Sequence, residues 1–183
     1  MSDETEAIKT TALILPGMGN SGPEHWQTLW ERANPSFARV QQRDWNHPDC
    51  DEWRAVLEES VARAGADVVL IAHSMACALV AHWAAKTTLQ IKGALLVAPA
   101  DPEGPSFPKD AVGFAPVPRQ PLRFHSIVVA STDDPYAGPE YARSVAEAWG
   151  SRFVSIGPKG HINSESGLGD WPEGFSLFQE LTA

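Results

Sequence analysis

The stretch DVVLIAHSMACALVAHW, residues 67–83, decides how the chain is read. Asp67–Ala72 is a short, continuous apolar run of strand length, and the residues after Ser74 are small and apolar over helical length. One hydroxyl, that of Ser74, stands where the expected strand gives way to the expected helix. Such a turn lifts a hydroxyl onto the carboxyl edge of a sheet. It also aims the free N–H groups and the positive end of the helix at any charge that develops nearby. A serine between strand and helix is equally a common N-cap. The stretch alone therefore leaves Ser74 open between nucleophile and cap.

Working outward, apolar runs at Ala12–Leu15, Ala38–Gln41, Ala94–Ala98, Ile127–Ala130 and Arg152–Ile156 predict further strands. Between them, Trp53, Leu57 and Val61 recur at four-residue spacing, as do Tyr141, Val145 and Trp149, and each set predicts one buried helical stripe. A last helix is expected to start at Asp170, with Pro172 in its first turn, Glu173 completing a capping box, and Trp171, Phe175 and Phe178 facing inward. Strands that alternate with helices need crossovers and hence a parallel sheet. Runs such as VVLIA and ALLVA are apolar throughout, as a sheet covered on both faces requires. The expected fold class is therefore α/β, a compact, mostly parallel sheet of about six strands with helices on both faces. The 183 residues suit a single domain, with residues 1–10 as a flexible N-terminus. Residues 99–121 hold seven of the 15 prolines, which rules out regular helix or central strand there. This segment reads as a surface excursion after the fourth strand, on the edge where an open parallel sheet binds ligands.

A formal net charge of −9 argues against nucleic acid and against an anionic membrane surface as partners. No run approaches the roughly 18 apolar residues of a membrane-spanning helix. The acidic start, MSDETEAIKTTALIL, lacks a basic flank followed by an apolar signal segment. Cys50 and Cys77 make no disulfide framework, and Cys77 falls on the expected buried helix as a small hydrophobe. A reducing, cytoplasmic location is expected.

A serine nucleophile needs a base, and the base needs an acid to orient it. The strand Ile127–Ala130 runs into Ser131-Thr132-Asp133-Asp134-Pro135, and Arg152–Ile156 runs into Gly157-Pro158-Lys159-Gly160-His161. Serine, acid and histidine thus all follow strand ends on one sheet edge. Their chain order, Ser then Asp then His, is that of α/β-hydrolases. Asp133 and Asp134 compete for the acid. Pro135 holds Asp134 extended, while Asp133 reads as a solvated turn residue. Among the histidines, His73 lies in the turn and would wall the pocket. His82 and His125 read as structural or exposed. Leu15-Pro16-Gly17-Met18-Gly19-Asn20 leaves the first strand at the same edge, and its glycines let backbone N–H groups approach a ligand. It lacks the third glycine of a dinucleotide loop and the lysine of a phosphate loop. Ser21 is expected to cap the first helix, with Trp26 and Trp30 in the core and His25 structural or pocket-lining. No metal-ligand spacing is recognised among His25, Asp44, His47 and Asp49.

In LPGMGNSGPEHWQTLWE (residues 15–31), AHSMA (72–76), ASTDDPYA (130–137) and GHINSESGLGDWPEG (160–174), the chain resembles small α/β-hydrolases. It is similar to the family of retinoblastoma-binding protein 9 and the bacterial YdeN-type serine hydrolases. The resemblance covers nearly the whole length. It implies Ser74 as nucleophile, Asp134 as acid and His161 as base, and a fold without the large helical cap of lipases. By analogy with the superfamily, the Met18 and Met75 N–H groups would form the oxyanion hole. Gly17, Asn20, His25 and His73 are possible pocket residues. The usual G-x-S-x-G turn here reads Ala72-His73-Ser74-Met75-Ala76, with alanine at both glycine positions. The expected function is a serine hydrolase that cleaves a small-molecule acyl substrate through an acyl-enzyme, with no cofactor and no metal. The alternative is a non-catalytic protein-binding module on a hydrolase fold.

Overall fold

The computed structural model describes residues 7–183. The six residues before these, part of the expected flexible N-terminus, lie outside the described ones. Among the described residues, six parallel strands form one sheet: β1 (Ala12–Leu15), β2 (Phe37–Arg39), β3 (Val69–His73), β4 (Gly93–Val97), β5 (His125–Ala130) and β6 (Arg152–Ser155), in the order β2-β1-β3-β4-β5-β6. Five α-helices among the described residues connect or cover them: α1 (Trp26–Ala33), α2 (Cys50–Ala64), α3 (Met75–Lys86), α4 (Pro139–Trp149) and α5 (Pro172–Thr182).

The apolar strands are explained by the two layers. Leu13, Leu15, Leu70, Ala72, Leu96 and Val128 face one core with the inner stripes of α2, α3 and α4. Ile14, Val69, Ile71, Leu95, Val97 and Val129 face the other, with Trp26 and Trp30 of α1 and Phe178 of α5. Alternate residues of the central strands therefore serve opposite cores, which is why their runs are apolar on both faces. The stripe Trp53, Leu57 and Val61 is buried, as are Val145 and Trp149, while Tyr141 is half-buried.

Several boundaries differ from those expected. β3 starts at Val69 rather than Asp67, because Asp67 is exposed and pairs with Lys9. β4 stops at Val97, since Ala98 has φ 50, a left-handed conformation that no strand continues. β2 begins at Phe37, which is buried against Phe178. The last helix starts later than Asp170: its N-cap is Trp171, with φ 46 and no side-chain cap bond. Burial of the Trp171 indole against Trp26 and Trp30 fixes this turn instead of a capping box. Likewise His25, not Ser21, caps α1, accepting from the Gln27 N–H through its ring Nδ1.

The proline-rich excursion contains no regular element, yet it is anchored. Phe114 is buried against Trp53, and Val112 exchanges backbone hydrogen bonds with Pro48 and Cys50. His82 holds it from α3 through the Phe114 carbonyl at 2.8 Å. Among the described residues, no helix is long and apolar enough to cross a membrane.

Candidate active site

β1, β3, β5 and β6 all end at the same sheet edge, and the loops that leave them converge there. Ser74 occupies the turn between β3 and α3 with φ 61 and ψ −125. Only a sharply bent backbone gives a serine these angles. The hydroxyl makes no cap bond to α3. Its oxygen lies 2.8 Å from His161 Nε2 instead. Alanine fits on both sides of the serine because the methyls of Ala72 and Ala76 are buried in the core with α2 and α3. The close approach falls on the opposing loop: a Cβ at Gly17 would meet the Ser74 Cβ at 3.2 Å and the His73 carbonyl at 3.3 Å. The tight contact therefore favours glycine at 17 rather than at 72 or 76.

His161 Nδ1 sits 3.0 Å from each carboxylate oxygen of Asp134. Asp134 Oδ1 also accepts the Tyr136 N–H at 2.9 Å, and the carboxylate is buried. An ionised carboxylate only accepts, so the His161 proton belongs on Nδ1 and Nε2 is left with a lone pair toward Ser74. Tyr136 packs its ring, tilted by 46°, against the imidazole, with centroids 4.4 Å apart.

Asp133 is exposed but does more than face water. Its Oδ1 accepts the Ser131 hydroxyl at 2.9 Å and the Gly160 N–H at 2.8 Å, while Ser131 Oγ accepts the Lys159 N–H. The Gly160 N–H, then the Ser131 hydroxyl, hold its carboxyl below the usual value. Asp133 thus moors the His161 loop while Asp134 meets the imidazole. A second mooring comes from α1, where Trp26 donates its indole N–H to the Ile162 carbonyl at 2.8 Å.

Of the loop after β1, the Gly19 N–H is taken by the Trp45 carbonyl and the Asn20 N–H by the Gly17 carbonyl. Among the described residues the Met18 N–H has no such acceptor, nor has the Met75 N–H in the first turn of α3. Gly17, Met18, Asn20, His25, His73, Met75 and Tyr136 line a cavity of about 370 Å³ over Ser74 and His161, bordered by Ala100 and Pro108 of the proline-rich excursion. Asn20 turns its carbonyl oxygen to Arg39 and the Ser21 N–H. Among the described residues, no group of three or more His, Cys, Asp or Glu is arranged to hold a metal ion.

His73 and His25 are buried in the cavity wall, their rings meeting edge to face with centroids 4.7 Å apart. His73 Nε2 lies 2.8 Å from the His161 carbonyl, to which it donates. Burial, then the charges of Arg39 and His161, push the His25 pKa down to about 4. Burial, then His25 and His161, push His73 well below its ordinary value, against its hydrogen bond to the His161 carbonyl. Both are neutral in the folded protein at pH 7, whereas the unfolded chain protonates them below about 6.5. The unfolded state then binds more protons, so stability falls as pH drops through 6.5 toward 4, by about 3 kcal/mol for His25 alone. His25→Asn retains a capping side chain and should flatten this slope. Urea midpoints at about pH 7 and pH 4.5 check it, and equal slopes in both proteins would refute it.

The fold and these converging loops define an α/β-hydrolase. The model of the family described as serine hydrolase matches residues 12–180, and the chain belongs to that family. A putative YdeN-like hydrolase from Pectobacterium atrosepticum is 32% identical with a TM-score of 0.84, over 95% of this chain and 91% of that one. The ydeN gene product of B. subtilis is 17% identical with a TM-score of 0.76, over 94% and 98%. A thermophilic esterase from Thermogutta terrifontis is 16% identical with a TM-score of 0.67, over 95% and 91%. The latter two share the fold, and the first carries the YdeN-type resemblance. No curated protein matches the sequence.

Proposed function

We propose that the protein hydrolyses small esters through an acyl-enzyme on Ser74, with His161 as general base and acid and Asp134 as the group that orients it. The observation that carries this reading is the hydrogen-bonded chain from Ser74 Oγ through both nitrogens of His161 to the buried Asp134, open to one cavity. His161 Nε2 takes the Ser74 proton as Oγ attacks the carbonyl carbon. The Met18 and Met75 N–H groups hold the oxyanion, and one such donor is worth about 3–4 kcal/mol in the transition state. The tetrahedral species collapses as the ester C–O bond breaks, and His161 gives its proton to the leaving alkoxide. Water then loses a proton to Nε2 and attacks the acyl carbon, and Ser74 departs with that proton.

The cavity limits the substrate. About 370 Å³ is near the lower end for ligand pockets, and the imidazoles, Asn163 and Glu165 make much of its wall polar. Butyryl and shorter p-nitrophenyl esters are expected to give kcat/KM at least about tenfold above the decanoyl ester. A rate that climbs through long chains would contradict this. A fluorophosphonate probe tests the nucleophile: label mapped to Ser74 supports the reading. Absence of label on folded protein would favour a non-catalytic binding module.

A further inference from the structure

Gln27 is fully buried in the first turn of α1. Its side-chain nitrogen donates twice, to the Leu15 carbonyl at 3.1 Å and to the Ile71 carbonyl at 3.0 Å. Its oxygen accepts the Ser21 hydroxyl at 2.6 Å. A buried amide is costly unless its polar atoms are satisfied, and here both the nitrogen and the oxygen are engaged. The alternative rotamer would press the oxygen against two carbonyls, so those carbonyls and the Ser21 hydroxyl together fix which way the amide faces.

The two carbonyls belong to different strands. Leu15 ends β1 and pairs with Ala72, the neighbour of Ile71 in β3. Beyond Leu15 comes Pro16, which has no N–H to extend the ladder. The Gln27 amide clamps β1 to β3 at the last residue of β1 and two residues short of the end of β3. Close by, the strands give way to the Met18 loop and the Ser74 turn. These loops run so close that a Cβ added at Gly17 would lie 3.2 Å from the Ser74 Cβ, so splaying of the strand ends is passed to the site.

We propose that Gln27 is a positioning residue that sets the gap between the Met18 and Met75 N–H groups. The inference rests on those groups being the oxyanion donors. Gln27→Met keeps the volume and removes the clamp. With p-nitrophenyl butyrate, kcat per site titrated by fluorophosphonate should fall about 30-fold, with KM within about threefold. Affinity for phenylboronic acid, which forms a tetrahedral adduct on the serine oxygen, should weaken in parallel. A purely structural glutamine would lower Tm and the number of titratable sites but not kcat per site. Asn34→Ala, which deletes a bond to the Trp30 carbonyl at the far end of α1, is the control of that kind.

Ser21→Ala leaves the buried amide oxygen without its donor and loosens the clamp, so it should lower kcat about threefold to tenfold together with a fall in Tm. Wild-type kcat per site in Gln27→Met overturns the proposal. Should that variant not fold, Ser21→Ala decides, and an unchanged kcat there overturns it equally. Loss of turnover in Ser74→Ala alongside normal kcat in Gln27→Met would refute this inference alone. A wild-type protein that neither turns over ester nor labels at Ser74 would refute the reading beneath it as well.

Discussion

Ser74→Ala is expected to lower kcat for short p-nitrophenyl esters by at least about 10⁴-fold and to leave Tm nearly unchanged. The two halves of this expectation have separate causes. Activity is lost because Ser74 Oγ is the atom that His161 Nε2 addresses at 2.8 Å. Stability is kept because the hydroxyl caps nothing: α3 begins without a side-chain bond from Ser74. The strained backbone at φ 61 is equally strained for alanine. A serine that served as an N-cap would behave in the opposite way, since its replacement by alanine costs about 1 kcal/mol. Steady-state hydrolysis and a melting curve on the same preparation distinguish them. Residual activity above about 1% of wild type in folded protein would remove Ser74 from the nucleophile's role.

Much of this site was legible from periodicity and punctuation. Apolar runs separated by helical stripes are enough to call for a parallel sheet, and in such a sheet any loop after a strand lands on one edge. That is why Ser74, Asp134 and His161, far apart in sequence, fall on one edge of the sheet by pattern alone. The same logic placed the Met18 loop beside them. The two alanines flanking Ser74 were the visible irregularity. The space the turn needs is supplied across the cleft by Gly17, a long-range contact that leaves no mark in the local sequence.

What escaped the sequence has a common character: side chains whose role depends on an acceptor in a distant element. Ser21 looked like the cap of α1 because serine is a favoured cap, but the chain reaches helical geometry only at Trp26, where His25 supplies the acceptor. Asp170 offered a capping box that burial of Trp171 overrode. Asp133 read as solvated, and its mooring of Gly160 depends on how the loops after β5 and β6 come together. Gln27 carries no signal at all: a glutamine beside Trp26 on an amphipathic helix is ordinary until its amide is found between two strands. Propensity decides such positions only when tertiary partners are indifferent.

Asp134 and Asp133 are adjacent, and their amide variants should separate sharply. Asp134→Asn is expected to cost about 10⁴-fold in kcat with the fold intact. The reason lies in the direction of one proton. Asp134 accepts from His161 Nδ1 through both oxygens, each at 3.0 Å. An amide would place an N–H group against Nδ1 and drive the imidazole proton to Nε2, where it can no longer accept from Ser74. Asp133→Asn keeps the oxygen that receives the Ser131 hydroxyl and the Gly160 N–H, so the His161 loop stays moored and kcat should change less than about fivefold. The measurement is kcat of both variants with one short ester, alongside fluorophosphonate labelling rates, which should fall with Asp134→Asn and hold with Asp133→Asn. The reverse ranking would transfer the orienting role to Asp133. Equal, small losses would mean that neither carboxylate governs the imidazole's proton, and the short contacts at Nδ1 would then be packing rather than chemistry.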